Sequence, residues 1–285
     1  MTSQAKTFLL MLLLSVLVVS MGAAIGGRTG LILALGFAIL LNFGSYWFSD
    51  RIVLKMYRAK ETGPYDAPML HRIVDELSQK AGIPKPKVYI VPQEAPNAFA
   101  TGRNPENAAV AVTEGLLKTL TPEELKGVLA HELGHIIHRD TLIQAVVAVM
   151  ASVITSLAYM LQWSTIAGRD NRSGVVGGLL LALLAPLAAL LIQMGISRSR
   201  EYLADEAAAK LSGSPRSLAS ALAKLDAYSK QIPMQAREST AHMFIVSPLT
   251  GKSLGALFST HPPVAERIAR LERMEQLRGN VPTQD

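Results

Sequence analysis

Cysteine is absent from this chain of 285 residues, and charged and aromatic residues are scarce. Without cysteine the protein forms neither disulfide bonds nor thiolate metal sites, and its compartment cannot be inferred from redox chemistry. Charged residues make up only 18% of the chain and hydrophobic residues 49%, with a mean hydropathy of +0.27. A composition this apolar argues against an ordinary water-soluble domain and favours a membrane protein.

The net charge is +6 and the sequence pI is near 9.5, because Lys and Arg outnumber Asp and Glu. A nucleic-acid-binding surface would interleave basic and aromatic residues. Here the basic residues collect beside long apolar runs, where such residues set topology and contact lipid headgroups. We therefore expect a lipid bilayer as a partner, and no nucleic acid.

Four apolar runs without charged residues are long enough to cross a bilayer, which takes about 20 residues. They cover residues 8–27, 30–49, 142–168 and 174–197. The first run has the flanks of a signal peptide, but a second run follows almost at once, which favours a helical hairpin. Two alternatives remain for the last two runs: buried helices of a soluble core, or a hairpin that is only partly embedded. The sequence predicts about four transmembrane helices.

Basic residues at the ends of these runs predict the orientation of the chain in the membrane. Six basic residues follow the second and fourth runs: Arg51, Lys55, Arg58, Lys60, Arg198 and Arg200. The two loops that join paired runs contain three: Arg28, Arg169 and Arg172. By this count residues 51–140 and 198–285 lie in the cytoplasm and can form one catalytic domain. Residues 1–50 and 141–197 are then two transmembrane hairpins.

The remaining residues predict an α+β fold that is mainly helical. Strands are expected at 87–91, 97–102 and 108–113. Helices are expected at 66–81, with Asp66 as N-cap, and at 198–211, 214–230 and 264–277, while residues 231–260 lack a regular pattern. Thr121, Pro122 and Glu124 form a capping box that should begin another helix.

That capped helix carries the pattern His131-Glu-Leu-Gly-His135. Residues four apart lie on one helix face, so both imidazoles can bind one zinc ion. Glu132 lies at the edge of this face, where it can take a proton from water and pass it to the leaving amine. The pattern also arises by chance in unrelated chains. Gly134 favours function, because a glycine that weakens the helix would let a substrate or another strand approach closely.

A catalytic zinc ion needs a third protein ligand as well as an open position. His138 lies too far along the helix from His131, about 10 Å at about 1.5 Å per residue. An antiparallel hairpin of the third and fourth apolar runs would bring Glu201 close to His135. Glu201 and Asp205 lie four residues apart on one helix, so one can bind the metal while the other supports the site. Alternatively, both acids only pair with nearby arginines on a wet surface.

The zinc pattern is followed, after a hydrophobic hairpin, by Ser197-Arg-Ser-Arg-Glu-Tyr-Leu-Ala-Asp205. Together these motifs resemble the M48 metallopeptidases, and among them the HtpX-type bacterial heat-shock membrane proteases. The resemblance extends to the N-terminal runs, to Pro96-Asn-Ala-Phe-Ala-Thr-Gly102 and to His261-Pro-Pro. It implies a gluzincin-like zinc peptidase domain and one Zn²⁺ per chain. The implied roles are zinc ligands His131, His135 and Glu201, general base Glu132, and supporting carboxylate Asp205.

The resemblance also implies roles for two further segments. Asn97, Ala98, Phe99 and Ala100 would lie near the substrate, as an edge strand that pairs with an extended peptide. His261 would be a catalytic residue that stabilises the negative charge developing on the carbonyl oxygen. Taken alone, the residues around His261 instead favour an exposed or packed histidine at the start of a helix.

By the same resemblance the protein is expected to be a zinc metalloendopeptidase of the bacterial cytoplasmic (inner) membrane, with its catalytic domain in the cytoplasm. Its expected substrates are damaged or misfolded membrane proteins and unfolded polypeptides, in stress response and protein quality control. Two alternatives stay open: a dedicated processing protease of specific membrane substrates, and a membrane scaffold or chaperone with a structural zinc ion. Structural zinc sites are usually closed by four protein ligands, whereas catalytic sites keep an open position.

Overall fold

The computed structural model of the protein describes residues 3–167, 198–231, 236, 238–246 and 262–279. The fourth apolar run at 174–197 and His261 therefore lie outside the described residues. The described part is mainly helical, as predicted. Its helices are α1 Ser3–Met56, α2 Pro68–Ala81, α3 Glu114–Thr119, α4 Pro122–Ile137, α5 Thr141–Ala167, α6 Arg198–Ser212, α7 Pro215–Ser229 and α8 Val264–Gly279. Its strands are β1 Lys60–Glu61, β2 Lys87–Val91, β3 Ala98–Gly102 and β4 Ala108–Thr113, with 3₁₀ segments at Pro105–Asn107 and Glu238–Met243.

Helix α1 is a hairpin of two limbs that reverses at Gly27. The backbone of Gly27 is non-helical, with φ 56° and ψ −138°, a conformation that glycine adopts without a Cβ clash. The limbs lie close together, since the side-chain amide of Asn42 donates to Ser15 Oγ at 2.6 Å. Within the described residues, Gly26–Met56 is the one single helix that is long and apolar enough to cross a membrane. The predicted N-terminal hairpin is thus present, while the number of membrane crossings stays a prediction.

The hairpin argument for Glu201 assumed that the helix of the zinc pattern continues straight into the third apolar run, and this expectation was wrong. Helix α4 ends at Ile137, and the axis of α5, measured over Thr141–Ile154, is bent from it by 88°. Arg139 adopts a left-handed φ of 57°, which stops the helix and forms the corner. The first half of α5 is buried, and it packs against Leu10 and Leu14 of α1. Protein therefore covers this part of the third run.

The sheet has the strand order β1-β2-β4-β3, in which β2 and β4 are parallel and the other two pairs are antiparallel. Its two faces pack against different layers. One face, which includes Val88 and Val110, packs against α2 and α4 in the main hydrophobic core. The other face, which includes Phe99 and Ala111, packs against the end of α1, against α5 and against the 3₁₀ segment Glu238–Met243. The sheet therefore lies between the zinc-motif helix on one side and the end of α1 together with α5 on the other.

Both parts of the chain outside the apolar runs contribute to one core. Leu77 and Leu129 precede the second pair of apolar runs, whereas Ala208, Leu222 and Leu271 follow it, and all five belong to the same buried cluster. The predicted strands and the helices at α2, α4, α6, α7 and α8 are confirmed within one or two residues. The predicted N-cap of α2 was wrong. Asp66 instead accepts a hydrogen bond from the Gly63 amide at 3.1 Å, and Ala67 is the N-cap.

Candidate metal centre

Helix α4 begins at the predicted capping box. The Glu124 amide donates to Thr121 Oγ1 at 3.3 Å, and the Thr121 amide donates to Glu124 Oε2 at 2.9 Å. The Glu124 carboxylate also accepts hydrogen bonds from Ser220 and Lys224 of α7, at 2.6 and 2.7 Å. These bonds satisfy the free amides at the start of the helix and join it to α7. The first turn of the zinc-motif helix is therefore held against α7.

Gly134 allows α6 to cross α4 at short range. A Cβ atom at Gly134 would lie 3.0 Å from Ala204 Cα and 3.1 Å from Ala207 Cβ, closer than most such contacts. The neighbour that approaches Gly134 is therefore a helix, and not the strand or substrate that the sequence suggested. Buried residues recur on α6 at helical spacing, from Glu201 through Ala204 to Asp205. The close crossing is what brings the two carboxylates to the histidines of α4.

Three side chains converge where α4 and α6 cross. His131, His135 and Glu201 are at most 5% exposed, and each offers a ligand atom within 4.8 Å of the other two. The two histidine Nε2 atoms are 3.2 Å apart, and the Glu201 carboxylate oxygens lie 3.8 Å from His131 Nε2 and 3.4 Å from His135 Nε2. Two nitrogens bound tetrahedrally at ordinary zinc distances are about 3.3 Å apart. The predicted ligands thus fit a zinc ion by donor type and by spacing.

Asp205 orients the first histidine. Its Oδ1 lies 2.9 Å from His131 Nδ1, and since a carboxylate cannot donate, the ring must donate from Nδ1. The Nε2 atom of His131 then faces His135 Nε2 and the Glu201 carboxylate, which is the orientation that binding a shared metal ion needs. This arrangement agrees with the supporting role implied for Asp205, because the carboxylate fixes both the tautomer and the ring orientation.

Asp140 occupies the corresponding position beside the second histidine and was not predicted. Its Oδ2 lies 3.5 Å from His135 Nδ1, and its Oδ1 lies 3.2 Å from an Arg200 nitrogen. Burial lowers the pKa of His135, but Asp140, Glu201 and Glu132 outweigh it and raise that pKa to about 9. Metal binding therefore has to displace a proton from His135. The corner between α4 and α5 is what places Asp140 here, and a helix continued straight past Ile137 would have carried it away.

Arg267 of α8 is the second residue that the sequence did not reveal. It is fully buried and donates to both oxygens of Asp205, from Nε at 2.9 Å and from a terminal nitrogen at 2.6 Å. The other terminal nitrogen donates to the Ile245 carbonyl at 3.0 Å and lies 3.6 Å from Glu201 Oε2. Arg267 therefore compensates the negative charge that α6 brings into the core and holds Asp205 beside His131.

Burial determines the protonation states of His131 and Glu132, which are adjacent residues of α4. It lowers the pKa of His131 to about 4, and the positive charge of Arg267 acts in the same direction. His131 is therefore neutral near neutral pH, as a zinc ligand must be. Burial raises the pKa of Glu132 to about 7, and the charge of Glu201 adds to the increase. Glu132 can thus gain and lose a proton near neutral pH, which is the requirement for a general base.

Strand β3 lies against the zinc-motif helix, and Glu132 accepts a hydrogen bond from the Ala100 amide. Asn97, Ala98, Phe99 and Ala100 are all buried. The Ala98 carbonyl already accepts from the Ile245 amide at 3.2 Å, and the Phe99 ring packs 5.4 Å from the ring of Phe244. An extended substrate on this edge would have to displace residue 245. The substrate-binding role of these four residues stays a prediction.

The remaining histidines near the motif have separate places. His138 is the C-cap of α4 and lies outside the ligand cluster, as expected from its distance along the helix. His261 falls just before the described Pro262, so its catalytic role stays a prediction.

Comparison with known proteins identifies the family. The model of peptidase family M48 matches residues 64–275. A Protease HtpX homolog from Desulfatibacillum aliphaticivorans is 54% identical, covering 99% of this chain and 93% of that relative. Another from Pyrococcus furiosus is 53% identical, covering 94% and 95%, and Protease HtpX from Legionella pneumophila is 51% identical, covering 96% and 100%.

Among solved structures, the crystal structure of S. mikatae Ste24p matches with a TM-score of 0.50 at 20% sequence identity. The match covers 92% of this chain but 62% of that longer chain, and at this identity it shows a shared fold alone. The family match and the full-length relatives agree with a buried His-His-Glu cluster on the predicted helices. The chain therefore belongs to peptidase family M48 and is a metallopeptidase.

Proposed function

We propose that this protein is a membrane-anchored zinc endopeptidase that hydrolyses peptide bonds of damaged or misfolded membrane proteins on the cytoplasmic side of a bacterial inner membrane. The observation that carries the proposal is the buried cluster of His131, His135 and Glu201, with Glu132 beside it. Structural zinc sites usually have four protein ligands, and among the described residues three gather here. An open position of this kind favours catalysis over a scaffold with structural zinc.

The residues of the site divide the chemistry among them. His131, His135 and Glu201 would hold a zinc ion, which would supply a Lewis acid for the peptide carbonyl and would lower the pKa of a water molecule. Glu132 takes the proton from the attacking water and delivers it to the leaving amine. The Ala100 amide holds the Glu132 carboxylate in place. Asp205, 2.9 Å from His131 Nδ1, keeps the Nε2 atom of that histidine directed at the centre, and Asp140 faces Nδ1 of His135 from 3.5 Å.

The proposed location rests on the N-terminal hairpin and on the basic residues beside it. The second limb of α1 is exposed and apolar, with side chains such as Leu33 and Leu40 exposed by 69% and 72%, as expected of a helix that faces lipid. Lys55 in its last turn and the exposed Arg51 favour the cytoplasm for the end that leads to the catalytic residues. The role in protein quality control, and with it the choice of damaged membrane proteins as substrates, is proposed from the resemblance to HtpX-type proteases.

Chelation and metal replacement test the activity. The purified full-length protein in detergent should cleave several unrelated unfolded polypeptides, and o-phenanthroline should abolish the cleavage. Adding back about one equivalent of zinc should restore activity, because the three ligands form one site. Cleavage that survives complete removal of the metal would contradict a zinc peptidase. Cleavage of a single substrate only would indicate the dedicated processing protease instead.

Substitutions at Glu201 and Asp205 should separate a ligand from its support. Glu201→Ala removes one of three ligands, so zinc should be lost and activity abolished. Asp205→Asn keeps the shape and should lower zinc affinity less, by about 10- to 100-fold, as expected when a partner of a bound histidine is changed. Zinc titration measured against a competing chelator provides the readout. Equal loss in the two variants would show that Asp205 acts as a ligand itself.

Single cysteines test the orientation, because the native chain offers no thiol background. Cysteines at Ser173, between the third and fourth apolar runs, at the exposed Gln79 of α2, and at Thr283 should each be treated in intact cells with a membrane-impermeant thiol reagent. Only position 173 should react, since the other two are proposed to face the cytoplasm. Reaction at 79 would invert the proposed topology. Protection of 173 would indicate a second hairpin that does not cross the bilayer.

A further inference from the structure

The end of α1 carries an exposed face that changes from aromatic to basic. Trp47, Arg51 and Lys55 follow one another at four-residue spacing, so they lie along one side of the helix, with Phe48 next to them. Trp47 and Phe48 are each 43% exposed, and both basic side chains are exposed as well. The limb before this face is apolar and lipid-facing in character. The change from aromatic to basic therefore falls where a spanning helix would leave the hydrocarbon.

A residue from the catalytic part of the chain completes this face. The Arg103 guanidinium carbon lies 4.8 Å from the centre of the Trp47 ring, and that of Arg51 lies 5.9 Å from the centre of the Phe48 ring. Arg103 directly follows strand β3, beyond Gly102, whose φ of 127° suits only glycine. A guanidinium that covers an aromatic ring keeps its N–H donors at its edge, where they can bind a phosphate through two hydrogen bonds.

The described ranges offer these cations no protein counter-ion. No carboxylate there lies within ion-pair distance of Arg51, Lys55 or Arg103. Glu61, an acid close to this face in the chain, pairs with Lys87 and accepts a hydrogen bond from Tyr89, and the half-buried Asp50 forms no ion pair with the three cations within the described residues. Three positive charges beside exposed aromatic rings at the end of an apolar helix therefore call for an anion from outside the protein.

We infer that Trp47, Arg51, Lys55 and Arg103 form a binding site for the headgroup of an anionic phospholipid. The occupant follows from charge and continuity. The lipid phosphate is bound by the two guanidinium groups, and its acyl chains lie along the exposed apolar side chains of the same limb, which include Phe43. Indole and phenyl rings favour this level of the bilayer, and basic side chains there attract anionic lipid. A zwitterionic lipid offers the same phosphate but no net charge.

The site also connects the membrane to strand β3. Arg103 follows that strand at one end, and the strand's Ala100 amide donates to Glu132. The Gly102 carbonyl, beside Arg103, accepts from Thr141 at the start of α5. A bound headgroup thus fixes the end of the strand that lines the proposed catalytic centre. The binding itself does not depend on the proposed protease activity and can be measured without it.

Fluorescence of Trp47 provides the test, because the chain has only two tryptophans. The Trp163→Phe variant of the full-length protein leaves Trp47 as the sole reporter. It is placed in vesicles of zwitterionic lipid that contain about one tenth brominated phosphatidylglycerol, and in the reverse mixture, where the zwitterionic lipid is brominated. The two guanidinium groups of the site alone should give a preference for the anionic lipid on the order of tenfold or more over random mixing. Quenching by the dilute brominated anionic lipid should then be several times its proportional share, and should fall with added salt.

Variants decide whether the stated residues make the site. Arg103→Ala and Arg51→Ala should each reduce the excess quenching, the double variant should remove it, and Arg103→Lys should keep part of it. Lys85→Ala, at a basic residue that already pairs with Asp75 of α2 at 3.6 Å, is the matched control and should change nothing. Quenching proportional to composition, or an excess that both Ala variants retain, would overturn the site. Loss of the excess quenching on adding inorganic phosphate would indicate that the site binds a free anion. Quenching without any preference between the two lipids would indicate a site for an acidic protein partner.

Discussion

Replacing Glu132 by glutamine should leave a folded, zinc-loaded protein that is almost without proteolytic activity. The amide has the shape of the carboxylate and keeps an oxygen that can accept from the Ala100 amide, so the local packing should survive. It cannot take a proton from water. Loss of a general acid–base group costs about a hundred- to ten-thousand-fold in rate. Turnover of an unfolded polypeptide by the purified variant, with zinc content measured on the same sample, checks this expectation.

The control for this substitution lies on the same helix. Glu123→Gln changes an exposed carboxylate in the first turn of α4, about two and a half turns from Glu132 by helix geometry, and should leave both turnover and zinc content unchanged. Two results would count against the proposed mechanism. Substantial turnover by Glu132→Gln would show that another group provides the base. Loss of zinc together with activity would show that Glu132 binds the metal.

The sequence predicted those parts of the site that depend on local spacing. His131 and His135 share a helix face because they lie four residues apart, and Glu201 and Asp205 do so for the same reason. The capping box at Thr121 predicted the start of the motif helix, since its hydrogen bonds join residues only three apart. Helix α6 crosses α4, as expected, while the hairpin that was expected to bring it there lies partly outside the described residues. For residues that share one helix, the helical period decided the outcome.

The parts that the sequence did not reveal depend on tertiary geometry. Asp140 reaches His135 because the chain turns by 88° at Arg139, and a left-handed residue cannot be read from an arginine. Arg267 comes from the far end of the chain. One sign of it was present, because Arg267 lies on the apolar stripe of α8 with Val264, Ile268 and Leu271, all of which join the core. A charged residue on such a stripe indicates a buried partner, and the two nearby carboxylates of α6 are the partners it meets.

Replacing Arg267 by methionine should destabilise the protein more than the substitutions at Glu132, Glu201 or Asp205. The side chain is fully buried, holds both oxygens of Asp205 and lies 3.6 Å from Glu201. Methionine fills similar space but leaves two buried carboxylates without their cation. Removing one partner from a buried ion pair costs about 3–5 kcal/mol, because the other charge stays buried and uncompensated. Thermal unfolding of the purified protein, followed with and without added zinc, measures the loss.

Added zinc, and a control substitution of a neighbouring arginine, separate the possible causes of that loss of stability. A bound Zn²⁺ supplies positive charge to Glu201, so excess zinc should recover part of the stability of Arg267→Met but not the part that belongs to Asp205. The matched control is Arg270→Met on the same helix. Its guanidinium is partly exposed and lies 3.8 Å from Glu206, a surface pair worth about 0–1 kcal/mol. If Arg267→Met unfolds at the same temperature as Arg270→Met, the carboxylates of α6 do not depend on Arg267, and its hydrogen bonds to Asp205 only position that side chain.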